Sequence, residues 1–323
     1  MYGGIFMNYV FYSINIIMPI VLVVILGYIL KKVSIIDDNF INRSSIIIFK
    51  LALPITLFNS MANRSIQLSR DTEFFSFIVF GAVGLISSFI ILEFLSRIYI
   101  KDKKVRGAFV QGAFRSNYII IGYPILKSLY GDSIIIEIAL LAVLAIPIFN
   151  IFSIITLTIN SQENIESNKV LLFTNMLKNP MIIGIVLGFL VSSLQIKIPV
   201  FLSGTFNIIS GLTTPLALIC IGALFTFKSF EQEIRPVCVA ALFKTILFPL
   251  LFTLTAHFIG ISGSKLAAIF IVFATPTATS SFIMAKQFNS DSNMAANIVI
   301  LSTLVSGITI FVGITILRML SWI

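Results

Sequence analysis

Between Phe114 and Pro124 the chain reads Phe-Arg-Ser-Asn-Tyr-Ile-Ile-Ile-Gly-Tyr-Pro, an apolar run that carries a guanidinium, a carboxamide, a glycine and a proline. A guanidinium and a carboxamide can bind anions and polar ligands, and in apolar surroundings both need a partner. Proline lacks an amide donor and clashes with the preceding turn. Gly122 and Pro124, with Tyr123 between them, are therefore expected to open a helix and free backbone groups. Such groups are tolerated at membrane depth only inside protein or beside water, which is how interrupted helices hold polar solutes. A second stretch has the same character. Residues 274 to 281, Ala-Thr-Pro-Thr-Ala-Thr-Ser-Ser, set Pro276 among five hydroxyls, those of Thr275, Thr277, Thr279, Ser280 and Ser281. They can bind a polar ligand or recapture the carbonyls that the proline releases.

The lone charges sharpen the chemistry. An uncompensated arginine at the bilayer centre costs from about 3 to more than 10 kcal/mol. Of the 13 acidic residues, only Glu93 and Glu137 fall inside apolar segments. Glu93 stands four residues before Arg97, a ready local partner, and Glu137 is close to a segment end. No carboxylate is reserved for Arg115, so an incoming carboxylate would complete it. The competing reading is that Arg115, roughly 13 Å before Pro124 along an ideal helix, snorkels into the cytoplasmic mouth. Lys244, in Phe-Lys-Thr-Ile-Leu-Phe-Pro, either attracts anions or replaces a coupling cation, or it bonds backbone that Pro249 leaves unpaired. Lys50, four residues before Pro54, carries the same two readings. His257 reads as interfacial packing, and Pro147 and Pro249 as kinks.

The surroundings are those of a membrane. Hydrophobic residues make up 58% and charged residues 11%, and the mean hydropathy is +1.06, proportions of a polytopic membrane protein. The net charge of +9 is scattered singly between apolar runs, as juxtamembrane charges are, and does not point to nucleic acid. Cys220 and Cys238 have no metal-ligand spacing and His257 is the only histidine, so no zinc site, cofactor or disulfide is expected. No phosphate-cradling glycine motif or buried aspartate pair is present, so the chain is not expected to be an enzyme.

Apolar windows of roughly 20 residues fall at about 10 to 30, 40 to 61, 74 to 98, 107 to 130 and 133 to 159, then at about 178 to 195, 203 to 227, 235 to 260, 265 to 288 and 293 to 320. The first has no cleavage pattern after it and reads as an uncleaved helix. The expected fold is all-α and polytopic, with ten transmembrane helices. A polar connection at residues 160–177 separates a first five-helix repeat, 1–159, from a second, 178–323. Pro19 and Pro180 are 161 residues apart, as are Pro54 and Pro215, and the same offset pairs Gly27 with Gly188 and Leu57 with Leu218. An odd number of helices per half makes the repeats inverted, with the broken fourth and ninth helices crossing near the midplane. With the N-terminus outside, thirteen Lys and Arg face inward and six outward, so both termini are expected outside.

The motifs resemble the auxin efflux carrier family, which includes the plant PIN carriers and bacterial permeases annotated for malate and other organic acids. Asn117 with Gly122 and Pro124 looks like that family's fourth-helix motif. Leu-Ala-Leu-Pro-Ile-Thr-Leu-Phe at 51 to 58, Asn-Pro at 179 to 180, Thr-Pro-Leu-Ala-Leu at 214 to 218 and Ser281-Phe282 fit its second, sixth, seventh and ninth helices. The resemblance implies a scaffold domain and a transport domain that interleave helices from both repeats, with substrate beside the crossing and Asn117 as a binding residue. Ser280 stands where the family often has a second asparagine.

The expected function is a secondary transporter that moves a small organic anion, a carboxylate, across the cytoplasmic membrane by alternating access. The alternative is a membrane-embedded lipid or metabolite sensor that uses a carrier fold without transport. A channel is disfavoured, since no charged pore ring is evident. Coupling to H+ or Na+ and assembly as a homodimer are left open by the residues.

Overall fold

Apolar windows that cannot satisfy backbone polarity in hydrocarbon must become helices, and the chain does so. The computed structural model describes residues 18, 19, 22–62, 72–160, 180–225 and 227–323, and no strand occurs among them. The helices are α1 (22–32), α2 (Asp38–Ile47, a π-helical turn Ile48–Ala52, then Leu53–Ala62), α3 (Thr72–Tyr99) and α4 (Lys103–Phe114). Next come α5 (Tyr123–Tyr130, entered through the π-helical turn Tyr118–Gly122), α6 (Ile135–Ile159), α7 (Pro180–Ser193), α8 (Val200–Gly211) and α9 (Thr213–Leu224). The last are α10 (Phe227–Leu242, a π-helical turn Phe243–Leu247, then Phe248–Phe258), α11 (Gly263–Ala274), α12 (Ser280–Gln287) and α13 (Ser292–Met319).

Five stretches among the described residues are long and apolar enough to cross a membrane: Asp38–Asn59, Phe75–Tyr99, Val200–Leu224, Ile234–Phe258 and Ser292–Met319. The first half of the expected first helix lies outside the described residues, as do the polar connection beyond Asn160, Asn179, and Arg64 and Arg70. Three helices begin on an aspartate that accepts an amide of the first turn. Asp37 takes Phe40, Asp102 takes Lys104 and Asp291 takes Met294. The Phe40 amide holds the Asp37 carboxyl below its ordinary value.

The fourth window departs from expectation. Its helix does not open at Gly122 and Pro124; it stops at Phe114, leaves Arg115 to Asn117 unwound, and resumes. The reason is a device that occurs three times among the described residues. Pro54, Pro124 and Pro249 each stand two residues beyond a π-helical turn, in which Leu53 donates to Ile48, Tyr123 to Tyr118 and Phe248 to Phe243. One extra residue in the turn relieves the crowding that a proline otherwise imposes on the preceding carbonyls, so the helix continues through it.

Two hydrophobic clusters divide the packing. The larger joins α3, α4, α6, α10, α11 and half of α13 around Phe89, Phe114, Phe149 and Phe252. The smaller joins α2, α7, α9 and α12, with Val24 and Leu30 of α1 against it. Within the smaller one, Gly188 of α7 lies against the Phe58 backbone of α2, and Gly27 of α1 against the Ile219 backbone of α9; a Cβ at either glycine would strike a carbonyl. The 161-residue offset turns Gly27 into Gly188 and Phe58 into Ile219. One contact thus becomes the other with its partners exchanged.

Candidate functional site

Two helix ends meet inside the protein. Arg115 leaves α4 in extended conformation (φ −76°, ψ 138°) with its amide on the Gln111 carbonyl at 3.0 Å. Thr275 leaves α11 in the same way (φ −63°, ψ 147°) with its amide on the Ile271 carbonyl, also at 3.0 Å. The unwound segments then bond to each other. The Asn117 amide donates to the Pro276 carbonyl at 2.8 Å, and the hydroxyls of Ser116 and Thr275 share a hydrogen bond. Thr277 donates its hydroxyl to the Gly112 carbonyl at 2.6 Å and its amide to Ser302 of α13 at 3.1 Å. These bonds satisfy groups that a broken helix would otherwise leave orphaned in an apolar interior.

Arg115 is 4% exposed. It is therefore not a residue on an intact helix reaching for solvent; its backbone is at the break itself. Nη2 donates to Asn150 Oδ1 of α6 at 2.8 Å and Nη1 to the Met284 sulfur of α12, and among the described residues Nε has no partner. Asn150 is held in turn by its amide, which donates to the Ile146 carbonyl at 2.7 Å. A carboxamide and a thioether carry no negative charge, so the guanidinium is bonded without being neutralised. Glu93 is engaged by Arg97 at 3.1 Å and Thr156 at 2.8 Å, and Glu137 accepts from Ser264 at 3.3 Å. Among the described residues no carboxylate pairs with Arg115.

A cavity of about 160 Å³ opens beside this arginine. Arg115, Ser116, Asn117 and Tyr118 line it from the first break, and Ala278, Thr279 and Ser280 from the second. Leu53, Thr56 and Leu57 of α2, Ser210, Thr213 and Thr214 around the α8–α9 junction, and Ala145, Ile146, Phe149 and Asn150 of α6 complete the wall. The cavity thus sits between the two hydrophobic clusters. Thr56 and Thr213 join across it at 3.0 Å.

Of the residues singled out in the sequence, Arg115, Asn117, Thr279 and Ser280 come together on this cavity. Thr275, Pro276 and Thr277 lie behind it and hold the breaks closed. Ser281 is fully buried with a hydroxyl that has no partner among the described residues. Gly122 packs under α11, where a Cβ would stand 2.8 Å from Ile271. Tyr123 is half-buried against the larger cluster, and Pro124 is in α5. Lys50 is exposed on α2, away from the lining. Lys244 is buried and donates to the Phe273 carbonyl at 2.8 Å, not to backbone beside Pro249. His257 stacks on Trp322 with ring centres 3.7 Å apart. Among the described residues no three His, Cys, Asp or Glu gather as a metal shell.

Asn150, Thr56, Ser210, Thr213 and Thr214 were missed in the sequence. The register that aligned Pro54 with Pro215 held the signal, since Thr56, Thr213 and Thr214 flank those two prolines. Asn150 gave none, being one amide in a long apolar helix.

Comparison with known proteins fits this architecture. The family described as membrane transport protein matches residues 12–314. The chain is 24% identical over 279 residues to the uncharacterized transporter YfdV of Escherichia coli, covering 84% of this chain and 87% of that one. It is 21% identical over 299 residues to the uncharacterized transporter MJ1031 of Methanocaldococcus jannaschii, covering 90% and 94%. A mouse protein named lysosomal cholesterol signaling protein is 26% identical over 321 residues, which cover 90% of this chain and 36% of that protein.

Proposed function

The chain belongs to the membrane transport protein family, the auxin efflux carrier family that its motifs resemble, and on that footing we propose that it is a secondary carrier for a small organic anion, a carboxylate. The observation that carries the reading is Arg115, 4% exposed, lining a cavity with Asn117 and bonded only to uncharged groups. A buried cation without a counter-charge is costly, and a ligand carboxylate reaching the unpartnered Nε would supply one. Thr279 and Ser280, at the start of α12, add hydroxyls at the end of a helix whose dipole favours negative charge.

The remaining parts of the reading follow from this placement. The larger cluster acts as the moving domain and the smaller, built on α2, α7 and α9, as the scaffold. Alternating access is their relative displacement about the cavity between them. The partner-exchanged contacts of Gly27 and Gly188 support duplicated halves related by a twofold, hence inverted repeats with crossing breaks. The protein is a multi-pass protein of the cytoplasmic membrane with both termini outside, and a homodimer through the scaffold is compatible with its exposed apolar faces. With an interior-negative potential each exported negative charge gains about 2.3 kcal/mol per 100 mV, so efflux needs no coupled ion.

Thermal unfolding of the purified protein with malate, succinate and indole-acetate, repeated on Arg115→Ala and Asn117→Ala, tests this. A ligand at 100 times its dissociation constant stabilises by about 2.7 kcal/mol. A shift abolished in both variants supports the site, and saturable counter-exchange in liposomes supports transport. No response to any carboxylate overturns the substrate class. A second reading, a membrane-embedded sensor of lipid or metabolite, draws on the likeness to the mouse cholesterol signaling protein. Ligand binding without flux would favour it.

A further inference from the structure

The break after α11 leaves a carbonyl at its C-terminal end without its helical donor. Phe273 would ordinarily accept from the amide four residues on, but the Thr277 amide donates to Ser302 instead. Lys244 takes that place. Its ammonium donates to the Phe273 carbonyl at 2.8 Å, with the residue only 2% exposed. The π-helical turn Phe243–Leu247 carries Lys244, in the register that Pro249 follows. No acidic side chain forms an ion pair with it among the described residues, so the negative charge it meets is that of the α11 terminus, about half an elementary charge.

Carbonyls at an interrupted helix end are the ligands that a bound sodium ion uses in broken-helix carriers. Here a tethered ammonium holds one of them. We propose that Lys244 is an internal cation that closes the C-terminal end of α11, so that the broken helix is held together without a bound alkali ion. The proposal does not depend on the substrate class, because it concerns the far side of the break from the cavity lining.

The test is thermal unfolding of the full-length purified protein in sodium, potassium and choline chloride at equal ionic strength. The wild type should unfold at the same midpoint in all three. Lys244→Met, which keeps the aliphatic body and removes the charge, should unfold several degrees lower in each salt. Lys244→Gly should be lower still and should recover part of the loss in methylammonium chloride but not in choline chloride. A midpoint of the wild type that rises specifically in sodium overturns the proposal, as does a Lys244→Met midpoint equal to wild type. If Lys244→Gly does not fold, the wild-type salt series and Lys244→Met still decide.

Discussion

Asn150 of α6 accepts a hydrogen bond from Arg115 Nη2 at 2.8 Å while its own amide is fixed on the Ile146 carbonyl at 2.7 Å. The two residues therefore act as a unit, a buried cation and the dipole that orients it. Asn150→Ala should destabilise by about 1–3 kcal/mol, because it leaves a charged donor unpaired. Arg115→Met should cost less, since it removes the buried charge itself. Combining the two should restore most of the Asn150→Ala loss, read as a coupling energy from unfolding midpoints in detergent. Purely additive losses would show that the pair is not coupled.

Asn117 separates ligand binding from stability. Its backbone amide holds the Pro276 carbonyl at 2.8 Å, and the residue lines the cavity. Asn117→Ala keeps the backbone bond, so the unliganded midpoint should stay within about 1 kcal/mol of wild type. The carboxylate response should disappear. An undiminished response would remove Asn117 from the site.

Thr56 gives a directional prediction. Its hydroxyl donates to the Ala52 carbonyl at 2.7 Å, so at the 3.0 Å contact with Thr213 it is Thr213 that donates and Thr56 that accepts. Thr56→Ser preserves both bonds and should be nearly silent. Thr56→Val strands the Thr213 proton on the cavity wall and should cost about 1 kcal/mol, with weaker ligand response. Thr213→Val in the Thr56→Val background should add little. The pair of midpoints, single against double, distinguishes this from a general loss of packing.

The helices were legible in the sequence because membrane burial makes apolar length decisive: the windows at 74 to 98 and 293 to 320 became α3, Thr72–Tyr99, and α13, Ser292–Met319. The interruption near Pro276 was legible too, at Thr275 to Thr279. That of the fourth helix lies earlier in the chain than its proline implies. Proline sterics place the opening at Gly122 and Pro124, whereas a π-helical turn absorbs Pro124 and the chain unwinds at Arg115, where the residue types carry no steric signal. Of the residues lining the cavity, Arg115, Asn117, Thr279 and Ser280 stand out in the sequence by type, whereas Ser116 and Tyr118 of the first break and the contributions of α2, α6, α8 and α9 do not. Which distant helices close a cavity is decided by packing between helices, and a single apolar segment does not encode it.

Small residues at helix contacts give the last prediction. Gly188 of α7 lies against the Phe58 carbonyl of α2, and a Cβ there has the Phe58 backbone and the Met61 Cβ in its way, neither of which is the free end of a side chain. Gly188→Ala must push the helices apart and should cost about 1–3 kcal/mol. Gly204, inside α8, has nothing within 4 Å of the same added atom. Gly204→Ala should be neutral or stabilise by up to about 1 kcal/mol, since alanine orders a helix better than glycine. The contrast extends to function. α2 carries Leu53, Thr56 and Leu57 into the cavity wall, so moving it away from α7 displaces one side of the site while leaving Arg115 and Asn117 on the other. Gly188→Ala should therefore weaken carboxylate binding together with stability, and Gly204→Ala should change neither adversely. Equal midpoints and equal ligand responses for the two variants would show that the α2–α7 contact does not set the wall.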